Sequence, residues 1–492
     1  MPILGLDVGS TGCKAMAFTE AGAPLGYAYR EYPKAAGETR LDAQALWQAV
    51  EEVVQEAAAT VDGIRALSVS SFGESFVPID RQGRPLCPIV MYTDDRALAQ
   101  CARLEEAFGE KGYAAKVGVW PHVMYSLPKM AHLVEEQPDL AARVWKYLLV
   151  EDYVLYRLTG ETVTDYSLAA RTMAFDVTRL SWAGEVLALA GVEAGRMATP
   201  LPSGTAVGPV LPDMADRLGL PQDCVVVIGG HDQVCAAVGA GVLEGGRAVN
   251  GMGTVECVTP VFDHPVLEPA FLQQHYVCVP HAQPGKYVTY AFSFSGGALL
   301  TWFRDTFMVH RKAEAQAAGL SLYTLLEREA PQQPTDLIVI PHFAGSGTPD
   351  MRTTHRGGVL GLTLGTSAGE FYRALMEGVA YEMAYNLGCL ARQGVAVQRL
   401  DAVGGGARSS MWLHIKADLT GLPVVPLQVE EAGLTGTAML AAAALGEYRD
   451  LPQAAEAFVR EKAPILPDAR RHEQYQAGYA RFVEARNYLT QR

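Results

Sequence analysis

Two short segments of this sequence resemble each other and lie half a chain apart. Residues 5–14 (GLDVGSTGCK) and 249–258 (VNGMGTVECV) each place glycine and threonine in a tight turn between apolar runs. Such a turn suits a hairpin whose backbone approaches a ligand closely. The spacing predicts two halves of similar plan, residues 1–245 and 246–492, packed around a cleft with a boundary near Gly245 and Gly246.

Helical and strand patterns alternate along the chain. Apolar residues recur with the 3.6-residue helical period over residues 43–61, 127–134, 234–241, 370–387 and 411–420. Short apolar or β-rich runs stand between these segments, at residues 64–69, 225–228 and 337–340. Strands interleaved with helices predict an α/β fold.

Composition narrows the range of partners. The 492 residues include 54 Asp+Glu and 40 Lys+Arg, which gives a net charge of −14, and 49% are hydrophobic. Such a chain can bury full cores, so it should be globular throughout. The acidic balance, with no Lys/Arg-rich run, argues against nucleic acid or an anionic membrane surface as the main partner. A small-molecule partner is favoured.

The cysteines and apolar runs indicate a compartment. No two of the eight cysteines are close enough to form a CxxC pair, so we expect core thiols in a reducing environment. The longest apolar stretch, around residues 438–445, is far shorter than the roughly 20 residues of a membrane span. These features predict a cytoplasmic protein that does not bind membranes. They leave its oligomeric state open, a homodimer included.

The first candidate site is the turn at residues 7–14 (DVGSTGCK). Gly9 and its neighbours expose backbone N–H groups, the Thr11 hydroxyl can donate to phosphate oxygens, and Lys14 adds a cation. Such a turn can cradle phosphates, and Asp7 can hold Mg²⁺ directly or through water. The alternative is an ordinary hairpin with a solvated aspartate.

The second candidate site follows the apolar run at residues 225–228, where the chain continues Gly-Gly-His-Asp-Gln. Ligands of α/β proteins bind at the carboxyl ends of strands, so Asp232 is placed to act as a base on a substrate hydroxyl. The alternative is that Asp232 merely caps a helix beginning near Gln233. His231 is interpreted as a turn residue.

Two further segments could contact ligands. Gly404, Gly405 and Gly406 precede a helix and would let a flat purine and its ribose lie against bare backbone, although a plain strand-to-helix turn fits as well. Glu74, in residues 70–76 (SSFGESF), and Asp94, in residues 92–96 (YTDDR), could accept hydrogen bonds from polyol hydroxyls. A solvated loop with an Asp–Arg ion pair is the alternative, and spacing alone does not decide.

The order of these motifs resembles that of the FGGY carbohydrate kinases, which belong to the actin-like ATPases. The likeness covers nearly the whole chain, and Lys129 stands in the first signature with His132 where tryptophan is usual. The segments that carry it, beyond the first turn, are 124–136 (MYSLPKMAHLVEE), 152–176 (DYVLYRLTGETVTDYSLAARTMAFD), 229–233 (GGHDQ), 251–254 (GMGT), 295–305 (SGGALLTWFRD), 357–377 (GGVLGLTLGTSAGEFYRALME) and 404–418 (GGGARSSMWLHIKAD).

The resemblance implies two ribonuclease-H-like domains that close on ATP, Mg²⁺ and a sugar or polyol. By position it makes Asp232 the general base and Asp7 the residue that positions Mg²⁺. It assigns the phosphates to Thr11, Lys14, Gly253 and Thr254, and the adenosine to Gly405, Gly406 and Ser409. We predict that Gly9 also contacts the phosphates and that the sugar is bound by Glu74, Asp94, Asp232 and Gln233. Phosphoryl transfer needs this combination of positioning, charge neutralisation and a proton acceptor.

The sugar site departs from known family patterns. Gly73 replaces the arginine of the Arg-Glu pair of glycerol kinases, and Met124 replaces their tyrosine. We expect the two replacements to leave volume for a five- or six-carbon ketose or polyol, with a xylulokinase-like activity favoured. Xylulokinases usually carry Gln-Met-His at residues 72–74 and Asn at Gln233, and residues 71–80 also resemble deoxy-sugar ketose kinases.

A protein of the same fold could bind nucleotide or sugar without catalysis, for regulation or assembly. Such a protein would not need a base. The presence of both Asp7 and Asp232 favours an enzyme.

Overall fold

The computed structural model describes residues 2–33, 40–429 and 431–490. The elements before residue 246 are β1 (Ile3–Val8), β2 (Gly12–Phe18), β3 (Pro24–Glu31), α1 (Ala43–Ala58), β4 (Ala66–Ser71), β5 (Phe76–Ile79), α2 (Leu98–Lys111), α3 (Tyr113–Val117), α4 (Ser126–Glu136), α5 (Pro138–Arg143), β6 (Lys146–Leu149), α6 (Val150–Thr159), β7 (Val163–Asp165), α7 (Tyr166–Ala170), β8 (Phe175–Asp176), β9 (Ser181–Trp182), α8 (Gly184–Leu189), β10 (Thr199–Leu201), β11 (Ala206–Pro209), α9 (Pro212–Leu218), β12 (Val225–His231) and α10 (Asp232–Gly239).

The second half continues the same alternation. Its elements are β13 (Arg247–Met252), β14 (Glu256–Phe262), α11 (Pro269–Leu272), β15 (Val279–Pro280), β16 (Tyr287–Val288), β17 (Ala291–Ser293), α12 (Gly297–Phe307), α13 (Lys312–Ala317), α14 (Leu322–Glu329), β18 (Ile338–Ile340), β19 (Gly358–Leu360), α15 (Ala368–Arg392), β20 (Arg399–Val403), α16 (Ser410–Thr420), β21 (Val424–Pro426), α17 (Ala432–Ala444), α18 (Leu451–Phe458) and α19 (Ala469–Thr490).

The two large sheets share one plan. In the first, β1 pairs antiparallel with β2 and parallel with β4, and β4 pairs parallel with β12. In the second, β13 pairs antiparallel with β14 and parallel with β20, and β20 pairs parallel with β21. A hairpin followed by two parallel crossovers therefore occurs twice, and the chain has a mixed α/β fold of the actin-like type. The boundary near Gly245 and Gly246 stays a prediction.

Each predicted helical segment overlaps a helix, but α10 begins and ends two residues earlier than expected, and β4 begins and ends two residues later. Apolar patterning ends at Val69, whereas the strand continues through Ser70 and Ser71. Those serines are fully buried because β4 lies between β1 and β12. A strand covered on both sides hides polar residues that a pattern search takes for a loop.

Helices α10 and α17 cross at glycines. A Cβ added to Gly239 would lie 1.9 Å from the carbonyl oxygen of Ala432, and one added to Gly436 would lie 1.9 Å from that of Cys235. The two helix backbones are therefore in direct contact. Because α17 also packs on β1, β4 and β12, this crossing fixes the second half against the first half, between the second half of α10 and the first turns of α17.

Six of the eight cysteines are buried, as expected for core thiols, whereas Cys87 and Cys257 are half-buried. Every helix among the described residues is too short or too polar to cross a lipid bilayer.

Candidate active site

Asp232 lies at the junction of β12 and α10. The helix begins at Asp232 itself, so its cap is the preceding residue, His231, whose Nδ1 accepts a hydrogen bond from the Gln233 backbone N–H at 3.2 Å. The capping role considered for Asp232 thus belongs to His231, because the helix begins one residue earlier than the sequence suggested. The Asp232 side chain keeps 35% exposure and is available to a ligand.

The surroundings of Asp232 change its acidity. Desolvation in the cleft, together with the carboxylates of Asp7 and Glu74, raises the pKa of this carboxyl from 3.8 to about 7, against the opposing effects of the Gln233 N–H and Lys14. A carboxylate that titrates near neutral pH is well matched to accepting a proton from a hydroxyl.

This pKa predicts the pH dependence of activity. A base works when it is deprotonated, so kcat/KM for the acceptor should rise as the pH increases through about 7 and should level off above it. The measurement is steady-state kinetics from two pH units below to two units above that pKa, with nucleotide binding followed in parallel. A profile that is flat, or that falls over this range, would contradict the assignment of Asp232 as the titrating base.

Asp7 and Lys14 form a charged cluster with a residue of the second half. Lys14 Nζ lies 2.6 Å from Glu431 Oε2 and 3.2 Å from Asp7 Oδ2, while Ser70 Oγ donates to Asp7 Oδ1 at 2.9 Å. Although burial opposes it, the carboxylates of Asp7 and Glu431 raise the pKa of the Lys14 ammonium. Lys14 is therefore a permanent cation between the two halves.

The first turn lies directly beside this cluster. Gly9 N–H donates to the Gly12 carbonyl at 2.9 Å, and the Tyr32 hydroxyl donates to the Gly9 carbonyl at 3.0 Å. Thr11 is exposed at the tip of the turn. The hydrogen bonds fix the backbone of the turn and leave the Thr11 side chain available to a ligand.

A cavity of about 1000 Å³ in the second half brings together five of the predicted nucleotide residues: Gly253, Thr254, Gly405, Gly406 and Ser409. A Cβ added to Gly405 would meet nothing within 4 Å, so this backbone faces open space. Ser409 Oγ caps α16 by accepting from the Trp412 backbone N–H at 3.1 Å, and it donates to Glu327 at 2.7 Å. The same serine therefore starts the helix and borders the cavity.

These residues fit ATP and Mg²⁺. The cavity is at the upper end of the roughly 300–1,000 Å³ typical of small-molecule sites, and bare glycine backbone lines part of it. At the first turn, the carboxylates of Asp7, Asp232 and Glu431 outnumber the single ammonium of Lys14. Mg²⁺ is usually bound through one or two carboxylates together with phosphates and water. The role of Asp7 in holding Mg²⁺ stays a prediction.

On the other side of Asp232, Glu74 forms a buried ion pair with Arg171. Arg171 Nε donates to Glu74 Oε1 at 2.5 Å, and both side chains are 7% exposed. Arg171 follows α7 and lines a small cavity of about 20 Å³ between the two halves. The pair thus provides an arginine beside Glu74 although residue 73 is glycine.

The prediction that Gly73 leaves extra volume in the sugar site is wrong. A Cβ at this position would lie 2.8 Å from His231 Cδ2 and 3.4 Å from Arg171 Cβ, so these side chains already fill the space. Met124 does line the small cavity, but together with Tyr125, Tyr290 and other residues that close it. Glycine at 73 accommodates His231 and does not enlarge the sugar site.

Asp94 and Gln233 lie in different surroundings. Asp94 lines a separate cavity of about 630 Å³, and its carboxylate accepts two hydrogen bonds from Arg96 Nε at 2.9 Å. The structure does not bring Asp94 into the small cavity beside Arg171. Gln233 follows Asp232 in the first turn of α10 and is half-buried there.

Sequence reasoning missed Arg171, Glu431 and Tyr290. Arg171 stood within the quoted segment 152–176 but had no local pattern to single it out. Glu431 is 417 residues from Lys14 along the chain. Tyr290 stacks on His231, with 5.2 Å between the ring centres, and also comes from the other half of the chain. Only the packing of the two halves brings these residues to the site.

Comparison with known proteins agrees with this geometry. Residues 2–239 match the N-terminal domain and residues 248–445 the C-terminal domain of the FGGY family of carbohydrate kinases. The chain is 27% identical to a xylulose kinase of Bacillus subtilis, over 96% of this chain and 94% of that protein. It is 30% identical to a glycerol kinase of Bordetella parapertussis, over 92% of this chain and 90% of that protein.

A solved structure shows the same fold. The xylulose kinase from Lactobacillus acidophilus superposes with a TM-score of 0.89 at 22% identity, over 99% of this chain and 98% of that chain. The family match favours a catalytic protein over one that only binds nucleotide or sugar. The chain belongs to the FGGY family of carbohydrate kinases and is an ATP-dependent sugar kinase.

Proposed function

We propose that this protein transfers the terminal phosphoryl group of MgATP to a hydroxyl of a five- or six-carbon ketose or polyol, with a xylulokinase-like activity. The observation that carries the proposal is the place of Asp232. Its carboxyl, with a pKa of about 7, interacts with the Asp7–Lys14 cluster on one side and with Glu74 on the other. Relatives named xylulose kinase support the ketose.

In the proposed reaction Asp232 accepts the proton of the attacking hydroxyl. Lys14 and the turns at residues 9–11 and 253–254 hold the phosphates, and Asp7 holds Mg²⁺, which supplies positive charge to the phosphate oxygens when bound. Gly405, Gly406 and Ser409 border the adenosine. Residues 1–245 would then carry the sugar-binding residues, the first phosphate turn and the base, and residues 246–492 the second phosphate turn and the adenosine site.

The ends of the small cavity favour a substrate longer than glycerol. His122 from the first half and His275 from the second half line the cavity that Arg171 lines. Burial lowers the pKa of His122 to about 4 and also lowers that of His275, so both imidazoles are neutral. His122 Nδ1 accepts from the Met124 backbone N–H at 3.2 Å, which leaves its other ring nitrogen as a donor, and His275 offers a donor and an acceptor. A triol that presents one hydroxyl to Asp232 and two to Arg171 and Glu74 has none left for the histidines.

Glycerol is the second candidate substrate. The Arg171–Glu74 pair supplies an arginine beside the glutamate although residue 73 is glycine, and a glycerol kinase is among the relatives at 30% identity. A cavity of about 20 Å³ is too small for a sugar, so in this proposal the two halves separate to admit the sugar and then enclose it.

The eight free cysteines favour a function in the cytoplasm, and the proposal is compatible with a homodimer.

The experiment is an ADP-release panel with MgATP and pentuloses, hexuloses, deoxy-ketoses, tetritols, pentitols and glycerol. We expect the best ketose or polyol to exceed glycerol in kcat/KM by at least about tenfold, because several hydroxyl contacts are lost with the triol. Glycerol as the best substrate would contradict the proposed substrate while leaving the kinase activity intact. ADP release that no acceptor stimulates would contradict the proposed function as a whole.

A further inference from the structure

An ion pair and two aromatic rings fix the position of the Arg171 guanidinium. Its Nε donates to Glu74 Oε1 at 2.5 Å, and its guanidinium lies over the rings of Tyr125 and Tyr290, with centroid distances of 5.0 and 5.3 Å. Tyr125 belongs to the first half and Tyr290 to the second half, so the guanidinium is clamped between the two halves. Such a group has one conformation and is preorganised for a ligand.

Two polar atoms of this pair remain available. Arg171 Nη1 is buried and has no hydrogen-bond partner among the described residues. Both contacts between Arg171 and Glu74 end on Glu74 Oε1, which leaves Oε2 able to accept. A buried donor without a partner is costly, and in native proteins it usually indicates a function or a bound molecule.

Backbone strain is concentrated around the same cavity. Among the described residues, five that are not glycine have a positive φ, and four of them line the cavity or adjoin Arg171: Glu74, Met173, His275 and Met351. Glu74 has a φ of 61°, in the left-handed region that its side chain disfavours. Strain of this kind persists where the surrounding structure holds a residue in place, commonly at ligand sites.

The charges at the pair cancel. Glu74 neutralises Arg171, and the other nearby cation, Lys129, donates to the backbone carbonyls of Val123 at 2.9 Å and Met124 at 2.5 Å. Lys129 lines a different cavity, with Asp94 and Arg96, and is not among the residues that line the cavity beside Arg171. A carboxylate entering the cavity would meet no unpaired cation, whereas a neutral hydroxyl would satisfy both available atoms.

We propose that Arg171 and Glu74 bind one hydroxyl, or two adjacent hydroxyls, of a neutral sugar or polyol, and thereby select it over an aldonic acid. Arg171 Nη1 donates to a substrate oxygen, and Glu74 Oε2 accepts from a substrate hydroxyl. Arg171 is thus a specificity-determining residue contributed by the segment after α7. This inference rests on the proposed sugar kinase activity and names the substrate class of that site.

The test is Arg171→Lys, which keeps the positive charge beside Glu74 but loses the planar fork that carries Nη1. The probes are D-xylulose, or the best neutral substrate of the panel, its singly deoxygenated analogues, and D-gluconate. We expect kcat/KM for the parent sugar to fall by about 10- to 150-fold, the effect of losing a hydrogen bond to a charged group. For the analogue that lacks the bonded hydroxyl, the same substitution should change kcat/KM by less than about threefold.

Arg179→Lys is the matched control, because Arg179 is 79% exposed outside the cavity. Thermal midpoints and ADP binding of both variants show whether the fold is kept, and Arg171→Met combined with Glu74→Gln removes both charges if the single variant is unstable. An equal loss on the parent and on every analogue would overturn the proposal, since a structural role acts on all substrates alike. Preference of the wild type for D-gluconate would also overturn it. A wild type that no acceptor stimulates would count against the kinase proposal instead.

Discussion

Asp232→Asn is expected to lower kcat by at least about 10²-fold while MgATP and sugar still bind. Asparagine is nearly isosteric with aspartate but cannot accept the proton of the attacking hydroxyl. Helix α10 should keep its cap, because His231 supplies it. The measurement is single-turnover and steady-state ADP release, with nucleotide affinity determined separately. Asp223→Asn, at an exposed position just before β12, is the matched control and should retain full activity.

The same variant should also be more stable than the wild type at alkaline pH. The pKa of Asp232 is raised from 3.8 to about 7, so between those values the folded protein binds a proton that the unfolded chain has released. Wild-type stability contributed by this group therefore falls as the pH rises through that window. Asparagine does not titrate, so the difference in thermal midpoint should grow in favour of Asp232→Asn from acid to neutral pH. A constant difference would show that the carboxyl pKa is not raised.

Gly436→Ala is expected to destabilise the protein by about 3 kcal/mol, the upper end of the usual effect of overpacking. The new methyl would lie 1.9 Å from the carbonyl oxygen of Cys235, a backbone atom that cannot rotate away. Helices α10 and α17 must then separate, which moves Asp232 and Glu431 at their first turns. Activity should fall together with stability.

The control for this prediction is Gly109→Ala in α2. A Cβ at Gly109 meets nothing within 4 Å, so the substitution should be neutral or should stabilise by about 0.5–1 kcal/mol through helix propensity. Urea unfolding monitored by circular dichroism compares the two variants. Equal stability of Gly436→Ala and the wild type would show that the two helices are not in backbone contact at this crossing.

The strand-to-helix sites could be predicted from the sequence because their signals are local. An apolar run, two glycines and an acid occur within nine residues at β12 and α10, and three consecutive glycines mark the turn before α16. Periodicity and turn chemistry act over such distances. Even here the residue that caps α10 is His231 and not Asp232, because the sequence places the first residue of a helix only to within one or two positions.

The partners of these residues could not be predicted in the same way. Arg171 contacts Glu74, which is 97 residues away in the sequence. Gly73 accommodates the side chain of His231, and no sequence spacing indicates that these two residues are neighbours. The absence of an arginine at residue 73 therefore suggested an enlarged pocket, whereas the fold brings an arginine from another segment. Long-range packing decides which side chains meet, and a single sequence does not display it.

We expect Asp232 to serve direct phosphoryl transfer from ATP to a sugar hydroxyl. The most direct measurement is mass spectrometry of the acceptor after incubation with MgATP, with ADP quantified in the same samples. The wild type should yield a singly phosphorylated ketose or polyol in equal amount to the ADP formed, and Asp232→Asn should yield neither above background. ADP formed without a phosphorylated acceptor would show that no phosphoryl group reaches the sugar, and an unchanged product yield from the variant would show that Asp232 is not the base.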